Sequence, residues 1–212
     1  MKKIIIALSA LAVVSASAAT LKLQVPQAQL SGTPVPIVLD NLDTYKGPQA
    51  EIQVPDGVAN VAKGKKVTSS DDFPMIGELD LITDGNKDGS EGCYVELMDG
   101  VQWVQIDLGK DFDIYAVAVW HFHSQERAYK DVIVQVSDDP AFKKGVKTIY
   151  NNDHDNSSKL GKGNAKAYIE TNYGKLIDVS KSPVKGRYVR LYSNGSTTNG
   201  SNHYIEVEVF AK

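Results

Sequence analysis

The sequence predicts an all-β chain folded as an antiparallel β-sandwich. Three observations carry that expectation. Short segments alternate apolar and polar residues at the period of a strand. Clusters of Asn, Asp, Ser, Gly and Pro separate them. Almost no stretch shows the 3.6-residue period of a helix. Many short strands joined by long polar loops bury their inward faces by packing sheet on sheet.

Residues 101–108 alternate, with Val104, Ile106 and Leu108 on one face. Residues 114–122 are apolar on both faces, the pattern of a strand buried inside a sandwich. Residues 131–137 alternate again, with Val132, Val134 and Val136 pointing inward, and 187–192 and 204–210 follow the same rule. Trp103 and Trp120 lie within these patterns and are expected in the core. Polar turn clusters occupy 137–140, 151–158 and 193–202, and no internal repeat is present.

The first residues have the layout of a secretory signal. Lys2 and Lys3 precede an apolar run from Ile4 to Val14, and small residues through Ala19 offer cleavage after Ala18 or Ala19. The run is too short to span a bilayer as a helix. Residues 1–19 are therefore expected to be a signal peptide, and the product to be exported: secreted, periplasmic or on the cell surface. Residues 20–58 hold Pro26, Pro34, Pro36, Pro48 and Pro55, five of the eight prolines. Proline fixes φ and removes a ladder donor, so this segment is expected to be an extended arm or linker rather than central sheet. Residues 59–212 then form the globular domain.

Composition narrows the partners. The chain has 23 Lys and Arg against 26 Asp and Glu, and loss of the leader's two lysines leaves a net charge of −5. No basic stripe stands out, which excludes nucleic acid as a natural partner and argues against anionic membrane surfaces. The single cysteine, Cys93, excludes an internal disulfide and is expected to be a small half-buried residue.

The stretch from Asp84 to Gly89 places Asp84, Asn86 and Asp88 at alternate positions with a glycine after them. Such hard oxygen donors suit calcium. The loop resembles the first half of an EF-hand, but position 12 from Asp84 is Val95, with Glu96 one residue too late, and no amphipathic helix flanks it. The residues alone leave two readings: a polar Asp-Gly turn, or a calcium loop of another architecture.

Six segments in order resemble one family: 60–70, Leu81-Ile-Thr-Asp-Gly85, Trp103-Val-Gln-Ile-Asp-Leu-Gly109, 129–139, Gly186-Arg-Tyr-Val-Arg-Leu191 and Ile205-Glu-Val-Glu-Val209. Residues 60–210 resemble a discoidin, or coagulation-factor type C, domain, and are most similar to bacterial family 32 carbohydrate-binding modules. The resemblance implies a jelly-roll sandwich of the galactose-binding-like fold. It also implies a structural Ca2+ ion held by the Leu81 carbonyl, Asp84, Asn86, Ser90 and Glu206, with Asp88 able to replace Ser90. Glu206, on the final strand, would then supply the acid that the EF-hand count lacks.

The same resemblance implies a carbohydrate partner. Sugar sites of this kind combine an aromatic face with polar groups for the hydroxyls. His123 and Arg127 could converge with Asn202 at one end of the sandwich, with Tyr94 or Phe73 as the stacking face. His121 is a further candidate, although it shares the Tyr115, Val117 and Val119 face and reads first as a packed, hydrogen-bonded histidine. His203 and His154 lie in loops that can satisfy themselves. The sequons at Asn156, Asn194 and Asn199 read as turn chemistry. No nucleophile elbow, zinc-binding His pair or phosphate loop appears, so the expectation is a non-catalytic binder. An adhesive or membrane-binding domain led by Phe73-Pro-Met-Ile76 is the alternative, and a polysaccharide-active enzyme a more distant one.

Overall fold

The computed structural model describes residues 17–32 and 35–212. Most of the expected leader therefore lies outside the described residues. The strands are β1 (Ala18–Leu21), β2 (Leu42–Asp43), β3 (Ile52–Pro55), β4 (Ala59–Asn60), β5 (Val67–Ser69), β6 (Val95–Leu97) and β7 (Val101–Trp120). Then come β8 (Ile133–Ser137), β9 (Lys147–Asn151), β10 (Ala167–Tyr168), β11 (Lys175–Asp178), β12 (Val184–Asn194), β13 (Asn202–Tyr204) and β14 (Glu206–Ala211). A single 3-10 turn covers Leu79–Thr83.

β7 is the spine. Its first half pairs with β5 and β12, through Val67↔Ile106 and Leu191↔Val104. Its second half pairs with β14 and β11, through Val209↔Val117 and Ile177↔Val117. Outside these lie β8 and β9 beyond β12, and β4 beyond β14. Every pairing in this sheet is antiparallel. The two halves meet across one core, in which Val104, Ile106 and Leu108 pack with Val117, Val119, Val134, Val136, Val189, Leu191, Val207 and Val209. The alternation expected for 101–108 is met, and the fold is an antiparallel β-sandwich.

Two segments expected to be separate strands, 101–108 and 114–122, are one. Residues 109–111 are exposed, yet Phe112 and Asp113 pair with Gly186 and Lys185, and these long-range bonds carry the strand through the polar interval. Trp103 is also not in the core. It alternates with Val104 to the outer face and carries the Arg190 guanidinium 4.2 Å above its ring, whereas Trp120 is fully buried.

The second half of β7 is apolar on both faces because something covers its outside. Ala116, Ala118 and Trp120 form a second cluster with Leu23, Ile205 and Phe210, flanked by Leu21, Ile52 and Val58. Leu21, Leu23, Ile52 and Val58 belong to the proline-rich segment. That segment pairs β1 with β3 and sets β2 parallel to β10. Its polar groups dock too: Asn172 Nδ2 donates to the Pro26 carbonyl (2.9 Å), and Asn41 Nδ2 to that of Asn152 (3.0 Å).

Candidate functional site

The Asp84 loop is a ladder of self-satisfied turns. The Asn86 amide donates to Asp84 Oδ1 (2.6 Å), the Asp88 amide to Asn86 Oδ1 (3.0 Å) and the Ser90 amide to Asp88 Oδ1 (2.8 Å). Asp and Asn favour such turns because the short side chain reaches the amide two residues on. The far end of the chain meets this ladder. Gly85 N–H donates to Glu206 Oε2 at 3.1 Å, across 121 residues of sequence. Glu206 is fully buried and its Oε1 has no partner. Desolvation pushes its pKa up to about 8, opposed by the Gly85 N–H and reinforced by the nearby Glu208 and Asp84 carboxylates. The Leu81 carbonyl accepts only a long bond, 3.5 Å, from the Asp84 amide. The Gly85 amide and the Asp84 and Glu208 carboxylates are thus the neighbours of a desolvated carboxyl group, with Leu81 and Asn86 elsewhere on the same loop. Asp88 and Ser90 are engaged differently: Ser90 Oγ donates to Asp88 Oδ1 (2.6 Å) and to Gln29 Oε1 (2.8 Å), and Gln29 Nε2 donates to Asp88 Oδ1 (2.9 Å).

The residues expected to bind sugar are spread over two environments. Asn202 is an internal brace. Its Nδ2 donates to the Met98 and Gly100 carbonyls (2.8 and 2.9 Å) and its Oδ1 accepts from the Gly195 amide (2.8 Å), which leaves it unavailable to a ligand. His121 is likewise interior, stacked on Tyr129 with ring centroids 4.5 Å apart, its Nδ1 2.6 Å from Glu170 Oε1. His123 is buried, and its Nε2 lies 2.9 Å from the Lys87 carbonyl, so it props the Asp84 loop. Arg127 is buried with its guanidinium 4.7 Å from the Phe122 ring, and donates to Gln125 Oε1 (2.5 Å). His203 is buried beside it, its Nδ1 2.9 Å from Tyr129 Oη. Burial, then the neighbouring Arg127 and His121, lower its pKa to about 3. Phe73 is 86% exposed on a tip where Asp71 accepts from the Phe73 and Met98 amides (3.0 and 2.9 Å).

Of the candidates His121, His123, Arg127, Asn202, Phe73 and Tyr94, it is Tyr94 that lines the cavity beside Phe122. Its ring meets Phe122 edge-on at 5.0 Å, and the pair forms an aromatic corner. Burial, with the Glu96 and Glu91 carboxylates, raises the Tyr94 phenol pKa. The cavity has a volume of about 450 Å³ and is walled also by Leu30, Ser90, Glu91 and Ser124. Arg127 lies under the Phe122 ring and steadies it. Sequence reasoning missed Phe122, whose strand pattern reads as interior, and the whole arm contribution. Another cavity, about 530 Å³, lies between β9 and residues 160–165, and Asn151 Nδ2 there donates to the Gly161 carbonyl (2.9 Å).

Among the described residues, one group of carboxylates lies close enough to hold a metal ion: Asp131, Asp153 and Asp155, with ligand atoms within 4.8 Å of one another. It is not at the expected loop. Its carboxylates already accept bonds, Asp153 from the Asn156 and Ser158 amides (2.7 and 3.0 Å) and Asp131 from Ser157 Oγ and Asn194 Nδ2 (both 2.7 Å).

Comparison with known proteins places this geometry. The F5/8 type C domain model matches residues 66–207. Comparison with curated proteins finds no match. Among solved structures, the CBM32 of AlyQ, in complex with 4,5-unsaturated mannuronic acid, is 20% identical with a TM-score of 0.50, over 68% of this chain and 93% of that one. A Streptococcus pneumoniae fucose binding module is 19% identical with a TM-score of 0.50, over 74% of this chain and 98% of that one. A family 89 glycoside hydrolase from Clostridium perfringens is 19% identical with a TM-score of 0.53, over 72% of this chain but 14% of the hydrolase. The sandwich thus has the fold of carbohydrate-binding modules. With the family model spanning residues 66–207 of the 212, this chain belongs to the F5/8 type C, or discoidin, domain family.

Proposed function

We propose that this chain is an exported, non-catalytic carbohydrate-binding module that takes a saccharide in the cavity beside Tyr94. In this reading residues 1–19 are a cleaved leader, 20–58 an arm and 59–212 the domain. The carrying observation is the Tyr94–Phe122 corner opening on a cavity of about 450 Å³ with Ser90 and Ser124 at its edge. An aromatic corner accepts the C–H face of a sugar ring, and the Ser90 and Ser124 oxygens, whose protons are taken within the loop, remain as acceptors for the sugar's hydroxyls. Glycoside hydrolysis needs two carboxylates flanking the bond, and among the described residues Glu91 is the only carboxylate in the cavity wall. A glycan array on the full chain tests the reading. Binding to a defined saccharide, lost in Tyr94→Ala, supports it; no binding to any glycan sinks it.

The same proposal includes a structural Ca2+. A buried carboxylate oxygen without a partner is costly unless a cation or donor meets it. The Leu81 carbonyl, Asp84, Asn86 and Glu206 offer oxygen donors of the kind calcium collects. The ion would fasten the loop to β14 and supply no chemistry. Asp88 and Ser90, turned toward each other and Gln29, act as outer support.

A second reading rests on the exposed tip of Phe73, Met75 and Met98. It would be an adhesive or membrane-directed spike. Asp72, Glu78, Asp80 and Asp99 are exposed near it in sequence, which disfavours anionic lipid. Co-sedimentation with liposomes separates this from sugar binding.

A further inference from the structure

Two pins flank one exposed side chain at the cavity mouth. On one side Gln29 bridges Asp88 and Ser90 (2.9 and 2.8 Å). On the other the Ser31 amide donates to the Ser124 carbonyl (2.6 Å), with Ser31 Oγ also on it (3.2 Å). Between them Leu30 lines the cavity yet is 78% exposed. A large apolar side chain left in water between two fixed neighbours has its ordering cost already met and gains when a ligand covers it. The arm grips further along the same loop: a Cβ at Gly32 would come within 3.2 Å of Gln125 Nε2, and Lys46 Nζ pairs with Glu126 (2.7 Å). Residues 29–31 lie outside the stretch that matches the family, 66–207, so this wall belongs to the chain and not to the shared domain.

Charge restricts what the cavity accepts. Among the described residues, Glu91 is the only acidic or basic residue in its wall. Arg127 is buried beneath Phe122, and Lys87 Nζ is held by Glu208 (2.7 Å). A uronic acid placed here would set its carboxylate near Glu91 with no cation to meet it. An amino sugar would set its ammonium there.

We propose that the arm completes the saccharide cavity, with Leu30 as its third wall, and that Glu91 directs it to amino sugars, then neutral sugars, and against uronic acids. This rests on the carbohydrate reading of the Tyr94 cavity and deepens it. The test is calorimetric titration of the full chain with three probes: a chitosan oligomer, an uncharged N-acetylglucosamine oligomer and an oligomannuronate. Chitosan is expected to bind about fivefold better than the neutral oligomer, and the uronate worst. Glu91→Gln should erase the preference for chitosan over the neutral oligomer. Leu30→Ser, a change at an exposed position that leaves the melting temperature alone, should weaken all three probes about tenfold. If sugars bind but Leu30→Ser changes none of them, or the uronate binds best, the proposal falls and carbohydrate binding stands. If none of the three binds, the proposal falls, and carbohydrate binding stands or falls on the glycan array.

Discussion

His203 shows what burial does to one titrating group. Its ring sits in the interior against Tyr129 and beside Arg127, so the neutral form is favoured and its pKa is lowered to about 3. The unfolded chain binds that proton at about pH 6.5. The stabilisation is therefore complete above pH 6.5 and is lost as pH falls from there toward 3, by of order 1 kcal/mol per unit. Urea unfolding at pH 7, 6 and 5 checks the sign. Wild type should lose stability relative to His203→Gln, which retains an amide for Tyr129 but does not titrate. Parallel lines for the two proteins would refute it. Gly186 makes a second residue-scale test. A Cβ there would run into Val136 Cγ1 across the β12–β8 pair. Overpacking of that kind costs about 1–3 kcal/mol, so Gly186→Ala should lower the denaturation midpoint with an unchanged m-value.

Among the elements, the Asp84 loop and β14 form the joint that calcium would close. A ligand at a hundredfold excess over its Kd adds about 2.7 kcal/mol, or about 5–10 °C in Tm for a chain of this size. Wild type should show that rise on going from chelator to calcium. Glu206→Gln should lose it and yet melt no lower than wild type in chelator, because the amide oxygen can still accept the Gly85 N–H and the Oε1 it replaces has no partner. A calcium shift surviving in Glu206→Gln would remove that residue from the ligand set. Elements with a one-sided pattern were legible in the sequence: Val104, Ile106 and Leu108 declared their face, as did Val132, Val134 and Val136. β9, β10 and β11 were not, because their identity rests on hydrogen bonds to partners far along the chain rather than on periodicity. The site was legible in part for the same reason. Asp84 and Glu206 belong to recurring segments, whereas nothing local in Gln29 signals that it will bridge Asp88 and Ser90, 59 and 61 residues away. His123 and Arg127 carry side chains suited to a ligand, but packing turned both inward to support the loop and the Phe122 ring.

The whole molecule is a sandwich wrapped by its own N-terminal segment. The Asp107 carboxylate takes Arg187 Nε and Nη2 (2.7 and 2.8 Å), so two of the recurring segments are bound face to face. The arm is bound by apolar contact. Leu23, 8% exposed, packs in the cluster built on Ala116, Ala118 and Trp120. Leu23→Ala should destabilise the whole protein by about 2–3 kcal/mol in a single cooperative transition. If the arm were a mere tether, that substitution would leave unfolding unchanged.

The pairing of β14 between β4 and β7 sets an order of events. As the chain leaves the ribosome its first sandwich strand has no neighbour, and β7 lacks β11, β12 and β14 until almost every residue has emerged. The arm waits too, since the surface it covers includes Ile205 and Phe210. A topology dominated by distant pairings cannot close early. The polypeptide thus stays threadable through most of its synthesis, and the arm, made before the sandwich, is among the last segments to find its place.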